Sequence, residues 1–404
     1  GCGQWRSLNG LSLQRQDFGI GGKRTTPRQR LSLWETYSGG DPTGTYQQGR
    51  GVLRYTQTVD LSGPARLSHQ WLWRTCRHNG PEATPNSVAS LVELQWGYGV
   101  GALCPTVVTA APGAMLASLR CVIESCRESP IERSVLGIHL EGPYISAVDG
   151  PRGAHPLEHV RPPDWDEFCG FQEAAEGRIR LVTLAPEVEG AIPFIERLVK
   201  QQIVVSPGHT NAETRDIAEA TRAGARLSTH LGNGAHFSLQ RHPHYIWDQL
   251  ADDGLMASFV VDGHHLPLSV VKSMVRGKET HRTILISDAV VMAGLPPGFY
   301  PVGSQTIEVG PEGRISLAGT PYLFGAGASI EQGVANVVRF AETSLPEAIH
   351  MASLHPARLL SREGELGTLE PGKKANIIVF EWTETGIQVH QTVVEGQVVF
   401  DAGV

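Results

Sequence analysis

The chain has 404 residues, 41% hydrophobic and 19% charged, which suits one large α/β domain with a smaller companion and ample core. Its net charge of −7 excludes a general attraction to nucleic acid or membrane surfaces, and no run of 18 or more apolar residues offers a membrane span. Six Cys with no Cys-x-x-Cys pair, and no basic-then-apolar leader in the first 30 residues, predict reduced thiols and a cytoplasmic location.

Residues 1–80 stand apart. They hold ten Arg and one Lys against four acidic residues, a balance of +7, so the other 324 residues carry −14. Trp5, Trp34, Trp71 and Trp73 fall here without a helical or strand period. From about residue 86 a regular alternation begins. Helices are expected over 87–96, 113–128, 164–176, 189–201, 213–224 and 267–276. Short apolar strands are expected over 102–106, 135–139, 179–184, 203–206, 225–229, 256–260 and 283–287. This alternation predicts a parallel β/α structure. The strands number seven, and a (β/α)8 TIM-type barrel needs an eighth, expected near residues 66–73.

After Ser287 the pattern changes. Residues 299–318 predict a β-excursion, 330–342 and 346–353 helices, and 375–380, 387–390 and 393–399 strands with a Glu395-Gly396 turn. The last strands predict a small β-domain completed by the N-terminal segment. The expected division is 1–60 for an atypical N-terminal part of that domain, 61–360 for the barrel, and 361–404 for the C-terminal part.

Four strands end in groups able to do chemistry. Leu136-Gly137-Ile138-His139-Leu140-Glu141-Gly142-Pro143 runs into a carboxylate. Pro207-Gly208-His209-Thr210 and Thr229-His230-Leu231-Gly232 run into imidazoles, and Ser287-Asp288-Ala289 into a second carboxylate. Strand ends of one barrel converge on one mouth, so groups far apart in sequence can meet. Glu141, His209 and His230 form the ligand set of a catalytic zinc-type site with an open position. Such a metal acidifies a bound water and polarises a carbonyl, and Asp288 is the candidate general acid/base. His155, in Gly153-Ala154-His155-Pro156, and His265, in Asp262-Gly263-His264-His265, fall at the same face. Asn233 and the N–H of Gly234 suit an anion, and Arg241 can clamp a phosphate by paired N–H bonds. His242 and His244 read as solvated loop residues.

As an ordered set, these stretches resemble the N-acetylglucosamine-6-phosphate deacetylases of the amidohydrolase superfamily, over residues 81–404. His355-Pro356-Ala357-Arg358 and Gly367-Thr368-Leu369-Glu370-Pro371-Gly372-Lys373 carry the resemblance further. It implies that Glu141, His209 and His230 are metal ligands and Asp288 the acid/base. It implies that His155 and His265 contact the sugar and help polarise the amide. Asn233, Gly234 and Arg241 would bind phosphate, with a neighbouring subunit able to contribute. The implied partner is a small-molecule sugar phosphate, with no nucleic acid or membrane, and the implied assembly a homodimer. The implied cofactor is one divalent metal ion, zinc ahead of iron or manganese.

The sequence departs from that family in two places. Gly232-Asn233-Gly234-Ala235-His236 stands where the family has an aromatic residue before Asn and Ala-Met after it. Where the family has a Pro-Gly-Phe-Ile-Asp first strand, residues 64–74 read Pro-Ala-Arg-Leu-Ser-His-Gln-Trp-Leu-Trp-Arg. His69–Arg74 can be encoded by bases whose adjacent frame reads Ile-Asn-Gly-Tyr-Gly-Gly, so an out-of-frame reading or mispredicted start is expected upstream of Pro81. No His pair for a second ion is expected, since His69 and His78 fall in this stretch. The alternative functions are another amidohydrolase-type amide deacylase, or a relative made defective by its N-terminus.

Overall fold

The structure, a computed structural model, describes residues 52–56, 58–63 and 84–403 apart from residues 128, 291, 303 and 304. The out-of-frame reading of residues 1–80, with His69 and His78, lies largely outside the described residues.

Eight parallel strands follow one another in space in chain order. β2 (Thr58–Gly63), β3 (Val100–Val108), β4 (Ile138–Glu141), β5 (Ile179–Leu184) and β6 (Val204–Pro207) form one sheet. β7 (Leu227–Ser228), β8 (Met256–Val260) and β9 (Thr283–Ile286) form a second. Backbone bonds from Arg226 N to Val205 O (3.0 Å) and Thr229 N to Pro207 O (3.0 Å) link the two at β6 and β7. Side chains from β3 and β5 through β9, among them Cys104, Leu181, Val204, Leu227, Val260 and Ile284, meet in one inner apolar cluster. A larger cluster lies between the strands and the surrounding helices.

An eighth parallel strand is present, while the stretch where one was expected, residues 66–73, lies outside the described residues. The parallel neighbour of β3 is β2, with Val59 opposite Ala102. Thr58-Val59-Asp60-Leu61-Ser62-Gly63 alternates only weakly, and half of it has turn-forming composition, so periodicity did not single it out. The third strand is also shifted: it was expected over 135–139 and spans Ile138–Glu141, so Glu141 ends the strand rather than following it. Val135 makes only an isolated bridge to Leu103.

The helices are α1 (Pro85–Gly97), α2 (Pro112–Ser125), α3 (Ser129–Ser134), α4 (Trp165–Ala174), α5 (Ala191–Lys200), α6 (Thr214–Ala223), α7 (Tyr245–Ala251), α8 (Leu268–Lys278), α9 (Ile330–Ala341), α10 (Leu345–Ala352) and α11 (Leu354–Leu359). Local chemistry sets their ends. Thr84 and Ser87 cap α1 reciprocally with Pro85 at its first turn, and Ser344 with Glu347 does the same for α10. Gly224, in the left-handed region at φ 108°, ends α6. No helix among the described residues is long and apolar enough to cross a membrane.

Two antiparallel sheets complete the described residues. β10 (Gly298–Val302), β11 (Gln305–Val309) and β12 (Ile315–Leu317) form the expected excursion after β9. β13 (Ile377–Trp382), β14 (Ile387–Val394) and β15 (Gln397–Asp401) pair with β1 (Val52–Thr56) in the order β1-β13-β14-β15. Glu395 and Gly396, both at positive φ, make the hairpin turn the sequence predicted there.

Candidate metal centre and active site

Glu141 ends β4, His209 follows β6, His230 follows β7 and Asp288 follows β9. All four line one cavity of about 400 Å³. His209 Nε2 and His230 Nε2 each lie 3.1 Å from Glu141 Oε1 and 3.0 Å from one another. The backbones that aim these groups are strained: His209, His230 and Asp288 have φ of 50°, 29° and 48°. A residue held there costs on the order of 1–3 kcal/mol, and the packed strand ends around it must supply that.

The donor set fits a divalent metal. His209 Nδ1–H donates to Pro151 O at 2.9 Å, which leaves the Nε2 lone pair facing Glu141. Two imidazole nitrogens and a carboxylate oxygen thus converge at about 3 Å in a buried corner, where only a shared cation or protons relieve their repulsion. Burial pushes the Glu141 carboxyl up, but bonds to and charge on the two imidazoles outweigh it and hold the carboxyl well below the usual range. His155 also offers a nitrogen, since ligand atoms of Glu141, His155 and His209 lie within 4.8 Å of one another. The tighter triangle with His230 is the better site, because His155 Nδ1 lies 2.8 Å from Thr109 Oγ1 and its ring packs edge-on against His209 at 4.4 Å.

Asp288 keeps 23% of its side chain open to the cavity. Burial raises its carboxyl to about 6, with His230 pulling it down and Glu141 pushing it up. That places it in the range of a general base. His265 Nε2 lies 3.7 Å from Asp288 Oδ2, and His265 Nδ1 lies 2.7 Å from Asp262 Oδ2. Asp262 also accepts the backbone N–H groups of His264 and His265, both at 2.8 Å. It is therefore the group that sets the tilt and tautomer of His265. Sequence reading gave Asp262 no role, although an Asp followed by Gly and able to bond backbone N–H groups two and three residues on is a turn signal.

Asn233 and Gly234 line the cavity, and the Asn233 amide nitrogen donates to His230 O at 3.2 Å. A Cβ at Gly234 would stand 2.7 Å from His209 Nδ1, so the glycine lets the loop lie against a ligand ring. Arg241 is not brought to this group: it is exposed and does not line the cavity. Its loop also holds the exposed His242, and His244 stacks on Trp247 at 5.3 Å. His139, inside the same motif as Glu141, is structural: its ring nitrogens lie 3.1 Å from Thr106 Oγ1 and 2.8 Å from Thr183 Oγ1. Burial lowers it to about 4, so it stays neutral.

This arrangement has close parallels. The amidohydrolase family profile matches residues 97–399. An N-acetylgalactosamine-6-phosphate deacetylase from Escherichia coli is 34% identical over 300 residues, 74% of this chain and 77% of its own. An N-acetylglucosamine-6-phosphate deacetylase from Mus musculus is 32% identical over 406 residues, 98% of this chain and 94% of its own. Among solved structures, an N-acetyl-D-glucosamine-6-phosphate deacetylase mutant from Mycobacterium smegmatis, in complex with N-acetyl-D-glucosamine-6-phosphate, matches at TM-score 0.75 and 28% identity. That match covers 89% of this chain and 90% of the other. With a convergent Glu-His-His corner beside a strand-end Asp, the chain belongs to the amidohydrolase family.

Proposed function

We propose that this chain hydrolyses the acetamide of N-acetylglucosamine 6-phosphate to glucosamine 6-phosphate and acetate. The observation that carries the reading is the Glu141–His209–His230 triangle beside Asp288 in a single cavity. Glu141, His209 and His230 would hold one divalent metal ion, zinc ahead of iron or manganese, which supplies Lewis-acid charge to the amide and acidifies water. The ionised Asp288 takes a proton as water attacks the acetyl carbon. It returns that proton to the amide nitrogen as the C–N bond breaks, so the amine and acetate leave in balance. His155 and His265 orient the sugar and its acetamide, and Asn233 with the N–H of Gly234 faces the phosphate. Arg241, outside its own cavity, serves a neighbouring copy in a homodimer.

Two architectural readings accompany this one. The eight parallel strands are read as a closed (β/α)8 barrel, supported by the bonds between β6 and β7 and by the shared inner cluster. The β1-β13-β14-β15 sheet is read as the core of the small β-domain built from both chain ends.

The test is acetate release by zinc-loaded protein from the phosphorylated sugar, beside unphosphorylated N-acetylglucosamine. Turnover that needs the phosphate supports the reading. Equal turnover of both sugars points instead to a general amide deacylase, and none from folded, loaded protein rejects the reaction. A second substrate belongs in the assay: the relative at 34% identity acts on the galactosamine epimer by its name, so N-acetylgalactosamine 6-phosphate is the competing sugar.

A further inference from the structure

Among the described residues that line the cavity, Arg314 is the only Lys or Arg. The cavity already holds two carboxylates, Glu141 and Asp288, so a dianionic phosphate entering it meets repulsion unless a cation faces it. A metal ion at Glu141, His209 and His230 would be engaged with the acetamide. On a hexosamine the acetamide and the 6-phosphate lie at opposite ends, so one cation does not serve both.

Arg314 is built for the second task. It sits between the Gly310–Gly313 turn and β12, and Gly310 N donates to Arg314 O at 2.8 Å, closing that turn. Its Nη1 donates to Ser316 Oγ at 3.2 Å and its Nη2 to Pro321 O at 3.3 Å. Those bonds hold the guanidinium in place and leave its other N–H groups open to a ligand. Glu308 and Glu312 line a shallow depression on which Arg314 also borders, yet no described carboxylate forms a salt bridge with it. Phe237 and Tyr322, whose rings lie 5.1 Å apart, wall the same cavity and can take the apolar face of a pyranose.

We propose that Arg314 is the phosphate anchor of this cavity within its own chain, and so the residue that selects phosphorylated amino sugars. The assignment rests on the sugar-phosphate reading above. It adds, from this chain and beside the Arg241 that a neighbouring copy would contribute, a residue that the resemblance did not supply.

The experiment compares wild type, Arg314→Ala and Arg314→Lys, all zinc-loaded, with phosphorylated and unphosphorylated N-acetylglucosamine. Loss of a charge-assisted hydrogen bond predicts that kcat/KM for the phosphorylated sugar falls about 10- to 100-fold in Arg314→Ala, chiefly through KM. Turnover of the unphosphorylated sugar should stay at its wild-type value, and Arg314→Lys should recover part of the loss. A second arm, independent of turnover, measures binding of inorganic phosphate by calorimetry, which should weaken by a similar factor in Arg314→Ala. Phosphate-dependent turnover left unchanged by Arg314→Ala would overturn the anchor and leave the reaction standing. An Arg314-dependent phosphate affinity in a protein that releases no acetate would do the reverse. Equal losses on both sugars, or equal phosphate affinity in wild type and Arg314→Ala, would also reject the anchor.

Discussion

The floor of the cavity and its rim are built by different rules. Glu141, His209, His230 and Asp288 sit at the ends of buried strands, and three of the four hold unfavourable backbone angles that tight packing enforces. Arg314 and Tyr322 ride on the β12 hairpin, and Phe237, 66% exposed, on the loop after β7. On the proposed reaction the floor would handle a proton and a metal, which needs positions fixed to a fraction of an ångström. The rim needs charge and aromatic surface, which a hairpin or loop can present. Chemistry should therefore respond to changes at the floor, and substrate choice to changes at the rim.

The contrast would break first at Asp288. Replacing Asp288 by Asn should cut turnover about 10³-fold while thermal melting and metal content stay near wild type. A variant that keeps its rate would remove the base from the mechanism. Asp288 must be ionised to accept a proton, so kcat/KM should fall as pH drops through its pKa. Burial pushes that carboxyl up to about 6, and a divalent cation bound nearby would favour the ionised form. The acid limb of the loaded enzyme should thus lie below about 6 and vanish in the variant, as a pH–rate profile can check.

Next in size is His209→Ala. Outer partners of a metal ligand are commonly worth about 10- to 100-fold in affinity, so losing the ligand itself should cost at least about 100-fold. Metal titration followed by elemental analysis reads this directly, and full occupancy in the variant would dismantle the Glu141–His209–His230 site.

Asp262→Asn tests whether the floor extends to the group behind His265. A carboxamide cannot hold Nδ1–H as a carboxylate does, so His265 should change tautomer, with kcat down roughly 10- to 100-fold and metal affinity intact. Nitrogen chemical shifts of His265 would show the change. Unaltered shifts with unaltered kcat would reduce Asp262 to a loop brace.

Gly234→Ala should act on the floor from the rim side. Its Cβ would stand 2.7 Å from His209 Nδ1 at a φ of +54°, a strain of about 1–2 kcal/mol. A metal affinity lowered about tenfold is the expected reading, and no change would mean that the loop yields. The smallest effect belongs to Phe237→Ala: KM up about 2- to 10-fold with kcat unchanged, matching the loss of one aromatic contact. A fall in kcat there would erase the division between floor and rim.

The sequence by itself determined the alternation of strands and helices from Pro85 onward, the late antiparallel strands, and the chemistry-bearing groups Glu141, His209, His230 and Asp288. Each of those groups ends a short apolar run, and local hydrophobic pattern is the part of folding that is written in neighbouring residues. Only the tertiary structure decided the rest. The eighth parallel strand lies at Thr58–Gly63 because pairing with β3 selects it, although its own period is weak. Arg241, which resembles a phosphate ligand, falls outside the cavity, while the exposed Arg314, which no motif marks, lines its rim. Asp262 became a partner of His265 through a turn that places both side chains, 3% and 4% exposed, 2.7 Å apart. The Asp262–His265 pair is local to one turn, but which arginine reaches the cavity depends on where separate loops meet over the strand ends, and that geometry arises from packing between distant segments.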